Sequence, residues 1–118
     1  MIKFLFVGTK AHDPKNEAKK IQFNFKEAGN YGNAVYCYET VNQANAAAYP
    51  NPSSDPRQLL LCAVLVGESV YVEPNVQMNQ APERPNGTAY DSVRNQDSSM
   101  FVVYEPSKVY PLYLVHYN

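Results

Sequence analysis

Short strand-like runs recur along this chain, some alternating with a period of two and some continuously apolar, and helical stretches are few and short. Residues 2–7 form an apolar run closed by Gly8, which predicts a buried strand. Residues 13–20 predict a short helix. Asp13 suits its cap, Pro14 its first position, and Lys19 and Lys20 the negative end of its dipole. Residues 21–25 alternate as a half-buried strand or an extended turn, residues 28–33 read as a loop, and residues 34–38 as another short strand. Residues 40–49 read as helical, with Thr40 as cap and Ala44, Ala46, Ala47 and Ala48 as strong formers, ended by Pro50 and Pro52. Residues 50–57 follow as a polar surface loop. Residues 59–66 are continuously apolar, the mark of a central strand covered on both faces.

Beyond that strand the pattern loosens. Residues 69–73 alternate as a strand. Residues 74–88, rich in Pro, Asn and Gln, carry no periodicity and form the longest expected loop, of the kind that is functional or mobile. Asn86-Gly87-Thr88 inside it is a formal glycosylation sequon and reads as a turn. Residues 101–104 and 112–117 are the last two strands, joined by a compact connector at 105–111. The sum is about six strands and two short helices without internal repeats. That is a single α+β domain, largely sheet.

Composition narrows the class. With 118 residues, about 65% of the unfolded surface can be buried, enough for one modest core. Ten Tyr and five Phe without a Trp favour sheet over helix. The net charge of −1 excludes a strongly basic nucleic-acid binder driven by phosphate neutralisation, so nucleic acid is not indicated as a partner. No apolar stretch reaches the ~18 residues of a membrane span, and the opening residues lack the pattern of a secretory signal. Cys37 and Cys62 both lie in strand-like runs, where thiols pack as small hydrophobes, and an intracellular setting follows.

Generic chemical signatures are missing from the sequence. His12 and His116 are the only histidines and read as solvated, and the cysteines lack metal-site spacing. There is no phosphate-binding glycine loop and no nucleophile elbow. Glu17, Glu27, Glu39, Glu68, Asp91 and Asp97 are scattered and read as solvated faces.

Four segments taken in order carry a more specific signal. They are Phe4-Leu5-Phe6-Val7-Gly8-Thr9, then Gly32-Asn33-Ala34-Val35-Tyr36-Cys37, then Tyr90-Asp91-Ser92-Val93. The last is Met100-Phe101-Val102-Val103-Tyr104 followed by Val109-Tyr110-Pro111-Leu112-Tyr113-Leu114-Val115. Together they resemble the catalytic domain of the poly(ADP-ribose) polymerase (PARP) family, the diphtheria-toxin-like ADP-ribosyltransferases, and are most similar to its mono-transferase branch. The resemblance covers nearly the whole chain and implies that family's fold, an α+β domain with a mixed, mostly antiparallel split sheet. Family domains begin some tens of residues earlier, so it also implies a fragment or a minimal version.

The activity implied is cleavage of the nicotinamide glycosidic bond of NAD+ and transfer of ADP-ribose to an acceptor. Such a reaction passes through an oxocarbenium-like state, so the site must hold the nicotinamide, anchor the ribose and steady developing positive charge. The resemblance assigns the tools to positions. Gly8 matches the glycine whose backbone binds the carboxamide. The triad His falls at Val7, which cannot donate to a ribose hydroxyl, a loss on the order of 1–3 kcal/mol. Tyr36 matches the triad Tyr, which stacks on nicotinamide, and Tyr49, thirteen residues later, takes the place of the second stacking Tyr. The serine that grips the carboxamide falls at Ala44. The triad Glu falls at Met100, and losing one preorganised electrostatic group costs ~10²–10³ in rate. The loop at residues 26–30 corresponds to the donor loop and is very short.

An apolar residue at the Glu position occurs in mono-transferases, which borrow an acceptor carboxylate. Val7 and Ala44 instead weaken NAD+ binding itself. The leading expectation is a transferase-fold domain that has lost or nearly lost catalysis and acts as a protein-binding module. The competing expectations are an active mono-ADP-ribosyltransferase, with His12 as the candidate catalytic histidine, and a structural component of a larger assembly. Protein partners are expected, and metal and membrane are not.

Overall fold

A computed structural model describes residues 1–50 and 56–118. The elements run β1 (Ile2–Val7), α1 (Pro14–Ala18), β2 (Val35–Tyr38), α2 (Val41–Ala44), β3 (Arg57–Leu65), β4 (Ser69–Tyr71), β5 (Ser92–Arg94), β6 (Met100–Val103) and β7 (Val109–Tyr117), with 3₁₀ turns at Asn45–Ala47 and Pro106–Lys108. The fold is α+β: one seven-stranded sheet of order β4-β5-β6-β2-β1-β3-β7, antiparallel except for the β4–β5 pair.

The sheet is two half-sheets joined narrowly. β1 pairs with β3 through six consecutive registers, from Ile2 with Leu65 to Val7 with Leu60. β2 pairs with β6 through four. Between the halves, β1 meets β2 in the single register Phe6–Tyr38. The cleft described below lies on the β2–β6 side of that pair.

Side-chain alternation sorts three cores. Leu5, Val7, Val35, Cys37, Leu60, Cys62, Val64, Phe101 and Val103 share one face with Phe23 from the loop after α1. On the opposite face, Tyr31, Ala34, Tyr36, Ala81, Val93, Val102 and Tyr104 cluster over β2, β6 and β5. On that same face, Ala44, Ala48 and Leu59 gather under α2, bordered by Phe6 and Tyr38. Both thiols are free and buried as expected, and burial pushes the Cys62 thiol up to about 12.

Both helices are capped by the residues expected. Asp13 Oδ1 accepts from the Lys15 backbone N–H at 3.0 Å and Thr40 Oγ1 from that of Gln43 at 3.2 Å. The second helix is shorter than its alanines predict, because after Ala44 the chain tightens into a 3₁₀ turn. Pro50 is described, while Pro52 and most of the 50–57 loop lie outside the described residues. Residues 21–25 are not a strand; they form an extended turn that buries Phe23. β5 was not anticipated, because three residues are too few to show a period. β3 departs from a doubly covered strand. Leu59 is buried under α2, but towards the other end of the same face Leu65 is 47% exposed, beside Ile2 at 60%, Phe4 at 65% and Tyr113 at 66%. Residues 74–88 have no regular structure beyond an isolated bridge from Glu83 to Ala89. The segment is tied down by Arg84, which pairs with Glu68 and Asp91.

Candidate functional site

The site is best built from Tyr36 outwards. β2 lies between β6 and β1, and alternation sends Val35 and Cys37 to one face and Tyr36 and Tyr38 to the other. Met100 pairs with Tyr38 across the β2–β6 ladder and therefore stands on the tyrosine face. Tyr36, Tyr38 and Met100 line one shallow cleft with Lys10 and Glu27.

A short hairpin roofs this cleft. Glu27 and Ala34 exchange both backbone hydrogen bonds at 2.9 Å, and Gly29 and Gly32 exchange another pair at 3.2 and 3.0 Å. Gly32 has φ +87°, where a side chain would be strained and would run into the Met78 carbonyl. A Cβ added at Gly29 would come within 2.6 Å of the Tyr36 hydroxyl oxygen, so the hairpin backbone lies against that ring. Three phenols pin it. Tyr36 Oη donates to the Gly32 carbonyl at 2.6 Å and accepts from the Tyr31 N–H at 2.9 Å. Tyr104 Oη donates to the Tyr31 carbonyl at 2.7 Å, and Tyr31 Oη to that of Val72 at 2.9 Å. Burial raises the Tyr36 hydroxyl above its ordinary value and pushes Tyr104 up to about 12, so both remain neutral donors. Tyr36→Phe leaves the buried Tyr31 N–H without its acceptor and the Gly32 carbonyl with only the Gly29 N–H, and is expected to cost about 1–3 kcal/mol in chemical denaturation. Unchanged stability would show that the roof is not fastened this way.

The remaining positions singled out by sequence do not join this cleft. Val7 is buried in the aliphatic core. Phe6 shares a face with Tyr38, so Val7, one residue on, points away from Tyr36. Gly8 lies against the turn after α2: a Cβ there would fall well inside contact distance of the Ala47 carbonyl oxygen and within 2.6 Å of Ala47 Cβ. The Lys10 N–H donates to that same carbonyl at 2.8 Å. Ala44 is buried in the third core, beside Tyr38. Tyr49 makes a backbone bridge to Gln58 and does not line the cleft. Of the six positions, the fold unites Tyr36 and Met100.

Sequence reasoning missed Glu27, which is a wall of this cleft and not a solvated face. Its side chain is 13% exposed, and burial raises its carboxyl above the usual range while Lys10 pulls it back down. Tyr38 is pushed up to about 12, by burial first and by the Glu27 charge second. Glu17 is likewise buried, bonded to Lys20 at 2.9 Å. Nothing local signals the burial of Glu27, because Lys10, Tyr38 and Met100 come from elsewhere in the chain, whereas Glu17 pairs with Lys20 three residues on. His12 and His116 are exposed, as read. Among the described residues, no group of His, Cys, Asp and Glu is arranged to hold a metal ion, and no helix is long and apolar enough to cross a membrane.

The cleft offers little space. Its volume is about 180 Å³, below the roughly 300–1,000 Å³ of small-molecule sites. Gly8 is covered, and Val7 and Ala44 supply no side-chain donor.

A split mixed sheet with a tyrosine-lined cleft at the join is the frame on which the four sequence segments fall. No family model matches the chain. Over 97% of its length it is 32% identical to a probable poly(ADP-ribose) polymerase of Dictyostelium discoideum, and over the same share 29% identical to the protein mono-ADP-ribosyltransferase PARP12 of Mus musculus. It spans 33% of the first relative and 16% of the second. The relationship of this chain is thus to PARP-like ADP-ribosyltransferases.

Proposed function

We propose that the chain is a PARP-like ADP-ribosyltransferase domain that has lost, or nearly lost, catalysis and serves as an intracellular protein-binding module. The observation that carries this reading is the hairpin lying on the Tyr36 ring, its backbone hydrogen-bonded to the ring's own hydroxyl. A nicotinamide stacked on Tyr36 would have to displace that backbone. Ala47 packs on Gly8 in the same sense, and Val7 and Met100 remove a donor and a carboxylate. NAD+ binding is accordingly weak or absent. Ile2, Phe4, Leu65 and Tyr113 leave an apolar stripe on the outer sheet face, the kind of surface through which proteins associate. Two buried free thiols support a reducing compartment.

The mouse relative's name favours an active mono-transferase as the alternative, and one experiment separates the two. The chain is incubated with labelled NAD+ and acceptor proteins, alongside Tyr36→Ala. The expected result is no transfer above background. Robust labelling that Tyr36→Ala abolishes would overturn the proposal in favour of the active enzyme.

A further inference from the structure

Glu27 stands at the foot of the hairpin, its backbone fixed on both sides by Ala34. Its Oε2 is fully enclosed and accepts no hydrogen bond among the described residues. Its Oε1 has Lys10 Nζ at 3.9 Å, too far for a hydrogen bond. Enclosing an acceptor without a donor is costly, more so when it is charged, and buried polar groups in folded proteins nearly always find a partner. The missing donor therefore points to something that enters the cleft.

The walls restrict what that is. An anion would meet the Glu27 carboxylate. A compact ammonium is already present in Lys10, and it leaves Oε2 without a bond. A planar guanidinium presents parallel donors to both carboxylate oxygens, is weakly hydrated, and packs its faces on phenol rings and on a thioether. Tyr38 and Met100 supply those surfaces. A volume of about 180 Å³ suits one long side chain and not a dinucleotide. Lys10, with its side chain 43% exposed, gives up no side-chain hydrogen bond if it swings outward.

We propose that the Glu27 cleft receives an arginine side chain of a protein partner, paired through both guanidinium edges with Glu27 and packed against Tyr38 and Met100, with Lys10 displaced towards solvent and the carboxylate turned so that Oε2 faces the cleft. This rests on the binding-module reading and names the chemistry of what is bound.

The test is a titration of the ¹⁵N-labelled chain with a capped Gly-Arg-Gly peptide, with Gly-Lys-Gly and Gly-citrulline-Gly as controls. The arginine peptide is expected to give saturable amide shifts at Glu27, Gly29 and Tyr38, with an affinity on the order of millimolar for a single side chain. The citrulline and lysine peptides should bind at least about tenfold more weakly. Glu27→Gln should abolish the shifts. It should fold at least as well as wild type at neutral pH, since a neutral amide removes the cost of a buried charge. Lys10→Met should tighten binding several-fold by removing the competing ammonium, a gain that a purely structural pair would not produce. Absence of saturable shifts with the arginine peptide, equal binding of either control, or binding unchanged in Glu27→Gln overturns the proposal. Saturable shifts with NAD+ around Gly8 and Ala44 would instead overturn the closed-slot reading, and would leave the arginine result to be judged separately.

Discussion

Gly8→Ala is expected to destabilise the domain by about 3 kcal/mol or more, lowering its melting temperature by roughly 10 °C. The reason is space and not backbone conformation. The added methyl would meet the carbonyl carbon, carbonyl oxygen and Cβ of Ala47, and two of those three are main-chain atoms that cannot rotate aside. Relief requires the 3₁₀ turn Asn45–Ala47 to lift, which also strips the Lys10 N–H of its acceptor and pulls Ala44 and Ala48 away from Leu59. Denaturant titration with a shared slope for both proteins reads the difference. If Gly8→Ala melts within a degree or two of wild type, Ala47 does not rest on Gly8, and the face of Gly8 is open to a ligand after all.

Val7→His is the second large effect, and it sets the resemblance directly against the fold. By the family pattern, this change restores the missing triad member. By the packing, it places an imidazole among Leu5, Val35, Leu60 and Phe101, where no polar partner stands ready. The expected cost is about 2–4 kcal/mol, from an unsatisfied polar ring and from excess volume in a filled core. No NAD+ cleavage is expected to appear, because position 7 faces away from Tyr36. Stability near that of wild type together with measurable nicotinamide release would mean that β1 presents residue 7 to the cleft. The measurement is nicotinamide release beside a chemical melt of the same protein.

The legible parts of the molecule are those whose physics is local. The run at residues 2–7 is a strand because every residue in it is apolar or long-stemmed and Gly8 stops it. Asp13 and Thr40 cap their helices because their oxygens reach backbone donors two and three residues on. Cys37 and Cys62 are buried because each lies within a strand whose neighbours cover it. Errors came where distant segments arbitrate. The alanine-rich stretch after Thr40 has helix propensity for ten residues, but packing on Leu59 and Gly8 tightens it after four. The apolar run through β3 says that its residues prefer burial, not how much of the sheet the short α2 reaches.

What the sequence by itself determined is the type and order of most elements and the letters at the sites that matter: Val7, Tyr36, Ala44 and Met100 stand where polar or aromatic groups were to be sought. Only the tertiary structure decided which of those letters meet. Side-chain direction along a strand has a period of two, so Phe6 and Val7 differ by a whole sheet face. The hairpin over Tyr36, the turn over Gly8 and the enclosed Glu27 carboxylate all depend on contacts that no local pattern records, because chain closure and burial, and not propensity, bring their partners together.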